Sequence, residues 1–107
     1  MKRISPLLLL ALAAAMPLAA QTAKRSPVYQ QFCVTCHGED GKAQTEEGKK
    51  KKARDLSNAK WQEKVTDDRL FGSIKRGHDE MPAFGRKISD ADIKALVAEV
   101  RALAKGQ

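Results

Sequence analysis

The two cysteines of this chain, Cys33 and Cys36, lie three residues apart, and a histidine, His37, follows directly. Residues three apart on a helix share a face, so both thiols can reach one edge of a flat ligand. A Cys-x-x-Cys-His segment is typical of proteins that attach haem through two cysteine sulfurs. The imidazole of His37 is then in a position to bind the iron. The segment therefore predicts one covalent haem c, bound through Cys33, Cys36 and His37.

Three other interpretations of the cysteine pair stay open on the sequence, although haem is favoured over each. A thioredoxin-like redox couple would need a βαβ context, which the surrounding sequence does not show. A structural zinc site could use Cys33, Cys36, His37 and His78, but its second pair of ligands lacks the close spacing of zinc modules. A plain disulfide between Cys33 and Cys36 would close a very short loop and stabilise little.

The amino terminus has the layout of a secretory signal peptide. Lys2 and Arg3 precede an apolar stretch over residues 7–15, and small residues follow it. The apolar stretch is too short for a comfortable membrane span. We expect a leader over residues 1–20, with cleavage as late as residue 23, and one domain over residues 21–107. Export would place this domain in the periplasm, where free thiols otherwise tend to oxidise.

Composition limits the core and the classes of partner. Only 5 of the 107 residues are aromatic, and a domain of this size rarely becomes stable by apolar burial alone. A buried haem would add a large apolar surface. The formal charge is +7, and no basic stripe studded with aromatic residues indicates nucleic acid. We expect a monomer that meets acidic redox partners, with peripheral contact to an anionic membrane surface left open.

Hydrophobic periodicity predicts helices and no strands. Helices are expected to begin at Ser26, Thr66 and Ser89, each of which offers a capping hydroxyl. The first helix carries both thiols. The polar segment from Gly38 through the lysine run 49–52 is expected to be an irregular loop, and a solvated loop is favoured over a docking element for the lysine run. The fold class is therefore all-α with long loops. The last helix has the strongest apolar stripe, formed by Ile93, Leu96, Val97, Val100 and Leu103.

The second axial ligand decides whether a haem protein transfers electrons or binds small molecules. Met81 is the only methionine that follows the predicted leader. Pro82 disfavours helix at Met81, which keeps the thioether on a loop. His78, three residues earlier, is the rival ligand, and we expect it to face solvent. Met81 is the favoured ligand.

Together these segments resemble the mono-haem class I c-type cytochromes, especially the small bacterial periplasmic ones. The resemblance covers about residues 26–104 and rests on the cysteine–histidine motif, the Met81-Pro82-x-Phe84 segment and the terminal helix. It implies a cytochrome c-like fold of three to four short helices and long loops wrapped around one haem. It also implies that His37 and Met81 are the axial ligands and that the first and last helices cross.

The chain departs from the usual sequence pattern of these cytochromes at three places. Arg25 and Ser26 stand where a glycine is usual, and Glu99 lies where an aromatic residue is common. Arg54 replaces a frequent proline. Because that proline is missing, the usual backbone acceptor for the imidazole N–H of His37 cannot be carried over from the family. We expect a backbone carbonyl near Ala53 or Arg54 to accept this hydrogen bond.

An iron whose two axial positions are filled by protein side chains can change oxidation state without gaining or losing a ligand. The predicted function is electron transfer by a diffusible carrier, and no acid–base pair, nucleophile triad or phosphate loop indicates an enzyme. The alternative is a haem c subunit of a larger oxidoreductase complex with a permanent partner. A haem-based ligand binder is the third hypothesis and would need an open sixth coordination site on the iron.

Docking to acidic partners is expected through basic side chains around the haem edge, among Lys42, Lys75, Arg76, Arg86 and Lys87.

Overall fold

The computed structural model of the chain describes Arg3 and residues 25–106. The rest of the predicted leader lies outside these described residues. Residues 25–106 contain helices and no strand, which confirms the all-α class. None of the helices found there has the length and apolar character to cross a membrane. They are α1 (Pro27–Phe32), α2 (Val34–His37), α3 (Glu46–Lys50), α4 (Ala59–Lys64), α5 (Asp67–Arg76) and α6 (Asp90–Leu103).

The described residues form more helices than the three to four that were predicted. The expected single first helix is divided at Cys33, although the His37 N–H still donates to the Cys33 carbonyl at 2.9 Å. Helix α3 lies in the segment that was predicted to be an irregular loop, and α4 lies in the stretch after it, for which no helix was predicted. They are only five and six residues long and begin at the capping side chains of Thr45 and Asn58. Periodicity missed them because such short helices carry no apolar stripe.

The three predicted helix starts are confirmed. The hydroxyls of Ser26, Thr66 and Ser89 each accept a hydrogen bond from the backbone N–H three residues later, at 3.1 or 3.2 Å. Such caps satisfy one of the free N–H groups of the first turn. The apolar stripe predicted for α6 is buried along its whole length.

Helix α6 is the centre of the core because both α1 and α5 pack against it. Tyr29 of α1 is fully buried, with 0% of its surface exposed. Its hydroxyl donates to the carbonyl of Gly38 at 2.6 Å, which ties α1 to the chain just beyond α2. The remaining buried apolar residues are Leu56, Val65, Leu70, Ile74, Ile88, Ile93, Leu96, Val97, Val100 and Leu103.

Ser26 and Glu99 join the first helix to the last. The N–H and the hydroxyl of Ser26 donate to the two carboxylate oxygens of Glu99, at 2.8 and 2.6 Å. Hydrogen bonds to an ionised carboxylate are stronger than those between neutral groups. Two of the residues at which the chain departs from the family pattern are therefore bonded to each other, and they connect the start of α1 to α6.

Gln62 is a buried polar residue that links the middle of the chain to α6. Its side-chain N–H groups donate to the carbonyls of Leu56 and Val100, both at 2.8 Å. The Arg101 guanidinium donates to the Gln62 side-chain oxygen at 2.9 Å and to its carbonyl at 2.6 Å. The same guanidinium donates to the Val65 carbonyl at 2.6 Å. This network fixes α4 and the segment before it on the last helix.

Candidate functional site

A cavity of about 360 Å³ brings together the four predicted site residues. Cys33, Cys36, His37 and Met81 all line it, although Met81 is separated from the others by more than forty residues in sequence. Core residues form the apolar part of the wall. These are Tyr29, Leu56, Val65, Ile74, Leu96 and Val100.

The two thiols are free and half-buried. Cys33 lies at the junction of α1 and α2, and Cys36 lies within α2. Burial raises the pKa of the Cys33 thiol to about 11, and the nearby Glu99 and Cys36 add to the rise. Cys33 is therefore a neutral thiol at neutral pH. The disulfide interpretation of the pair has no support in this geometry.

The His37 imidazole is held from behind by a backbone carbonyl. Its Nδ1 atom lies 3.0 Å from the carbonyl oxygen of Arg54, which is one of the two residues at which this acceptor was expected. A proton on Nδ1 would leave the Nε2 lone pair free for a metal. Burial lowers the pKa of His37, and the hydrogen bond to Arg54 partly opposes this. The environment thus favours the neutral imidazole, which is the form that binds metals.

Met81 is placed by a tight turn after α5. The His78 N–H donates to the Met81 carbonyl at 3.0 Å, and the Met81 N–H donates back to the His78 carbonyl at 2.8 Å. Asp79 within the turn has a φ of 48°, in the left-handed region that Asp tolerates better than most residues. The Phe84 N–H donates to the carbonyl of Ile74 at 2.9 Å. We call residues 77–84 the methionine loop. It leaves α5 at Gly77, whose N–H donates to the Ser73 carbonyl, and it returns to α5 through the hydrogen bond from Phe84 to Ile74.

Gly77 allows this loop to turn back on itself. Its φ is 81°, and a Cβ at this position would lie 2.8 Å from the carbonyl oxygen of Met81. Both observations require glycine. The ring of Phe84 packs against that of Phe32 in α1, with centroids 5.6 Å apart. The methionine loop is thus also fixed to the helix that leads into Cys33.

Helix α3 packs against α2, through residues that the sequence alone did not indicate. The Thr45 hydroxyl donates to the Thr35 carbonyl at 2.7 Å and lies 3.1 Å from the carbonyl of Cys36. Gly48 is buried against that same Cys36 carbonyl, and a Cβ on it would overlap the oxygen. The sequence signal that could have indicated this helix is Thr45, a capping residue placed three positions before Gly48. This contact holds the backbone that carries the second thiol.

The basic side chains around the cavity differ from those expected to dock a partner. Lys51 and Lys52, which were expected to be part of a solvated loop, line the cavity together with Arg54, Lys64 and Arg69. Lys75, one of the expected docking residues, instead forms an ion pair with Asp90 at 3.0 Å. Trp61 also lines the cavity, and the Arg54 guanidinium lies 5.3 Å from its ring centroid. We call Lys51, Lys52, Arg54, Lys64 and Arg69 the basic rim.

The donor atoms of the cavity fit a haem c. Two thiols, an imidazole with a supported Nδ1 and a thioether line a single cavity with an apolar wall, and these are the attachment and ligation groups of c-type haem. Within the described residues no group of three or more His, Cys, Asp or Glu side chains could hold a metal ion. The zinc interpretation through His78 therefore has no support there.

Comparison with known proteins places this geometry among haem proteins. The family described as "Cytochrome C oxidase, cbb3-type, subunit III" matches residues 20–98. The KustC0563 c-type cytochrome has a similar solved structure, with a TM-score of 0.67 and 40% sequence identity. That match covers 71% of this chain and 92% of the other. A mutant of the same cytochrome gives a TM-score of 0.66 at 39% identity, covering 71% and 93%.

Two curated relatives carry the name of an oxidase subunit. The cbb3-type cytochrome c oxidase subunit FixP of Azorhizobium caulinodans is 34% identical over 85 residues, which is 78% of this chain. The cbb3-type subunit CcoP of Azospirillum brasilense is 31% identical over 90 residues, or 83% of this chain. The matched parts are 28% and 30% of these relatives, so the chain corresponds to less than a third of their length.

Proposed function

Because this chain belongs to the cytochrome c family represented by subunit III of cbb3-type cytochrome c oxidases, we propose that it transfers electrons as a haem c subunit of a larger oxidoreductase complex. The domain carries one covalent haem c and is an electron carrier, as expected from its family. The curated relatives are named as oxidase subunits. Their names favour the complex-bound alternative over the freely diffusing carrier that the sequence first suggested.

In this proposal Cys33 and Cys36 hold the haem, and His37 and Met81 bind its iron. The observation that carries it is the convergence of these four side chains on one cavity, with Nδ1 of His37 3.0 Å from the Arg54 carbonyl. A bound haem c supplies a ferric–ferrous couple. His37 and Met81 would hold the iron, and the apolar residues of the cavity wall would surround the ring. Thioether ligation and burial both raise the reduction potential.

The basic rim is proposed to face an acidic surface of the partner subunit. Its five cations come from the segment before α4, the end of α4 and α5, so they gather at one cavity although they are dispersed in sequence. Opposite charges across an interface steer the encounter of two proteins and fix their relative orientation.

We also propose that residues 1–20 form a leader, that residues 21–107 form the domain, and that the protein is exported to the periplasm. Outside its complex we propose that it is a monomer.

A spectrum of the exported, purified protein tests the ligand assignment. We expect red protein whose pigment stays with the polypeptide in acidified organic solvent, because two thioether bonds hold it. The ferric form should show the near-infrared charge-transfer band of thioether–iron ligation. Met81→Ala should abolish this band, and His78→Ala should retain it. Colourless protein, or a band that disappears only in His78→Ala, would contradict the assignment.

Isolation from membranes of the source organism tests the complex. A tagged chain is expected to co-purify in a fixed ratio with a haem-containing oxidoreductase subunit, and high salt should weaken the association. Lys52→Glu combined with Lys64→Glu should reduce recovery of the partner at least tenfold, since both cations belong to the basic rim. Lys94→Glu, on the exposed face of α6, is the matched control and should have little effect. A protein isolated only as a free monomer would favour the diffusible carrier.

A further inference from the structure

We propose that His78 is a reserve ligand for the iron, on the same side as Met81, and that it takes the axial position when the thioether is absent. The inference rests on the proposed function, since it requires the haem. Sequence alone presented His78 as a rival to Met81. The structure assigns the two residues to one turn, where they can act in succession.

The pairing of the two residues puts their side chains on one face. His78 and Met81 form an antiparallel bridge with reciprocal backbone hydrogen bonds of 3.0 and 2.8 Å. Residues directly opposed in such a pair project to the same side, with Cβ atoms about 5 Å apart. Both residues line the cavity that also contains His37. The turn therefore offers an imidazole and a thioether to the same space.

The backbone, and not the methionine side chain, holds this turn together. Its two hydrogen bonds use only the main chains of His78 and Met81, and Gly77 packs against the Met81 carbonyl. The Phe84 N–H is bound to the Ile74 carbonyl at 2.9 Å. Removing the thioether leaves all of these interactions in place. The turn should therefore keep His78 at the cavity after Met81 is truncated.

The His78 ring is free to move into the cavity. Its side chain is 54% exposed, and its Nε2 atom lies 3.3 Å from Oδ2 of Asp79, whose side chain is 85% exposed. Contacts between exposed groups of this kind contribute little to stability. Binding to iron through a nitrogen lone pair is a much stronger interaction than this contact. The contact with Asp79 would therefore not retain the ring at the surface.

Other potential donors at the cavity are less well placed. Lys51 and Lys52 belong to the segment that ends at Arg54, the residue whose carbonyl supports His37. In sequence, these two lysines are therefore close to the residue that supports His37 and far from Met81. Lys64 lies at the end of α4, and a lysine amine must lose a proton before it can bind iron. The carboxylates of Asp79 and Glu80 are hard ligands that suit iron(II) less well than imidazole.

A reserve imidazole would keep the iron six-coordinate but change its potential. Methionine–histidine ligation raises the potential of c-type haem relative to ligation by two imidazoles. Loss of the thioether would therefore produce a closed, lower-potential protein instead of one that is open to small molecules.

The holoprotein with Met81→Ala tests this role. We expect ferric Met81→Ala to be low-spin, with the electron paramagnetic resonance spectrum of a haem with two imidazole ligands, and its ferrous form to bind carbon monoxide slowly. Met81→Ala with His78→Ala should become high-spin and bind carbon monoxide at least tenfold faster. Added imidazole should restore the low-spin state. Met81→Ala with Glu80→Gln, which alters an exposed neighbour in the same turn, is the control and should remain low-spin.

Two results would overturn the inference. Met81→Ala that is already high-spin would show that His78 does not reach the iron, and a double variant that stays low-spin would show that another group binds it. If replacing His78 with alanine prevents folding, His78→Asn in the Met81→Ala background provides the same comparison. Wild-type protein is measured beside each variant, and a wild type without covalent haem would reject the proposed function itself.

Discussion

Gly48→Ala is expected to destabilise the protein by about 3 kcal/mol, at the upper end of the usual cost of overpacking. The new Cβ would overlap the carbonyl oxygen of Cys36 and lie 3.0 Å from that of Ala43. Both neighbours are backbone atoms, which cannot rotate away as a flexible side chain would. The α3 helix must therefore separate from α2. Urea unfolding of the holoprotein, followed by far-UV circular dichroism, measures the loss.

The sign of this change is diagnostic, because alanine ordinarily stabilises a helix interior by about 1 kcal/mol relative to glycine. Lys49→Ala on the exposed side of the same helix is the matched control and should change stability by less than about 0.5 kcal/mol. A Gly48→Ala protein as stable as wild type, or more so, would show that α3 does not pack closely on the Cys36 carbonyl. A lower yield of attached haem should accompany the loss of stability.

Gln62→Leu is expected to cost about 2–4 kcal/mol, although it preserves volume and adds apolar surface. It leaves the buried carbonyls of Leu56 and Val100 without the donors that now lie at 2.8 Å. Each buried polar group left unsatisfied costs about 1–3 kcal/mol. The Arg101 guanidinium also loses the side-chain oxygen that it now contacts at 2.9 Å. Chemical denaturation of the holoprotein is the measurement.

Gln30→Leu is the matched control for this substitution, because Gln30 is exposed on α1. It should alter the free energy of unfolding by less than about 0.5 kcal/mol. Equal stabilities for Gln62→Leu and Gln30→Leu would mean that water replaces the lost hydrogen bonds and that the network adds no stability. An intermediate outcome would measure how far the carbonyls can find new partners.

Both residues also bear on the acceptor of the His37 imidazole. The Gly48 carbonyl accepts a hydrogen bond from the Ala53 N–H at 2.8 Å, and Gln62 binds the Leu56 carbonyl. Arg54 lies between these two anchored positions. Its carbonyl is therefore held in place on both sides by helices that contain no residue of the donor set. The support of the imidazole depends on packing that is remote from the haem motif.

The sequence by itself determined the chemistry of the site and the helices with local signals. Cys33, Cys36 and His37 lie within five consecutive residues, so the local motif was enough to predict their joint use. Met81 was predicted because it is the one methionine after the predicted leader and because Pro82 disfavours helix at this position. The helix starts at Ser26, Thr66 and Ser89 depend on a hydrogen bond from the backbone N–H three residues later to the capping hydroxyl. Each of these signals is contained within a few consecutive positions.

Only the tertiary structure decided how these parts are held together. Ser26 binds Glu99 across 73 positions, and Gln62 binds Val100 across 38, so no local pattern contains either pair. The short helices α3 and α4 depend on caps and on contacts with the rest of the chain, because helices of their length are not stable alone. The basic rim likewise exists only where distant segments converge on one cavity. Chemistry is encoded in the spacing of neighbouring residues, whereas packing and charge placement arise from long-range contacts that only the folded chain creates.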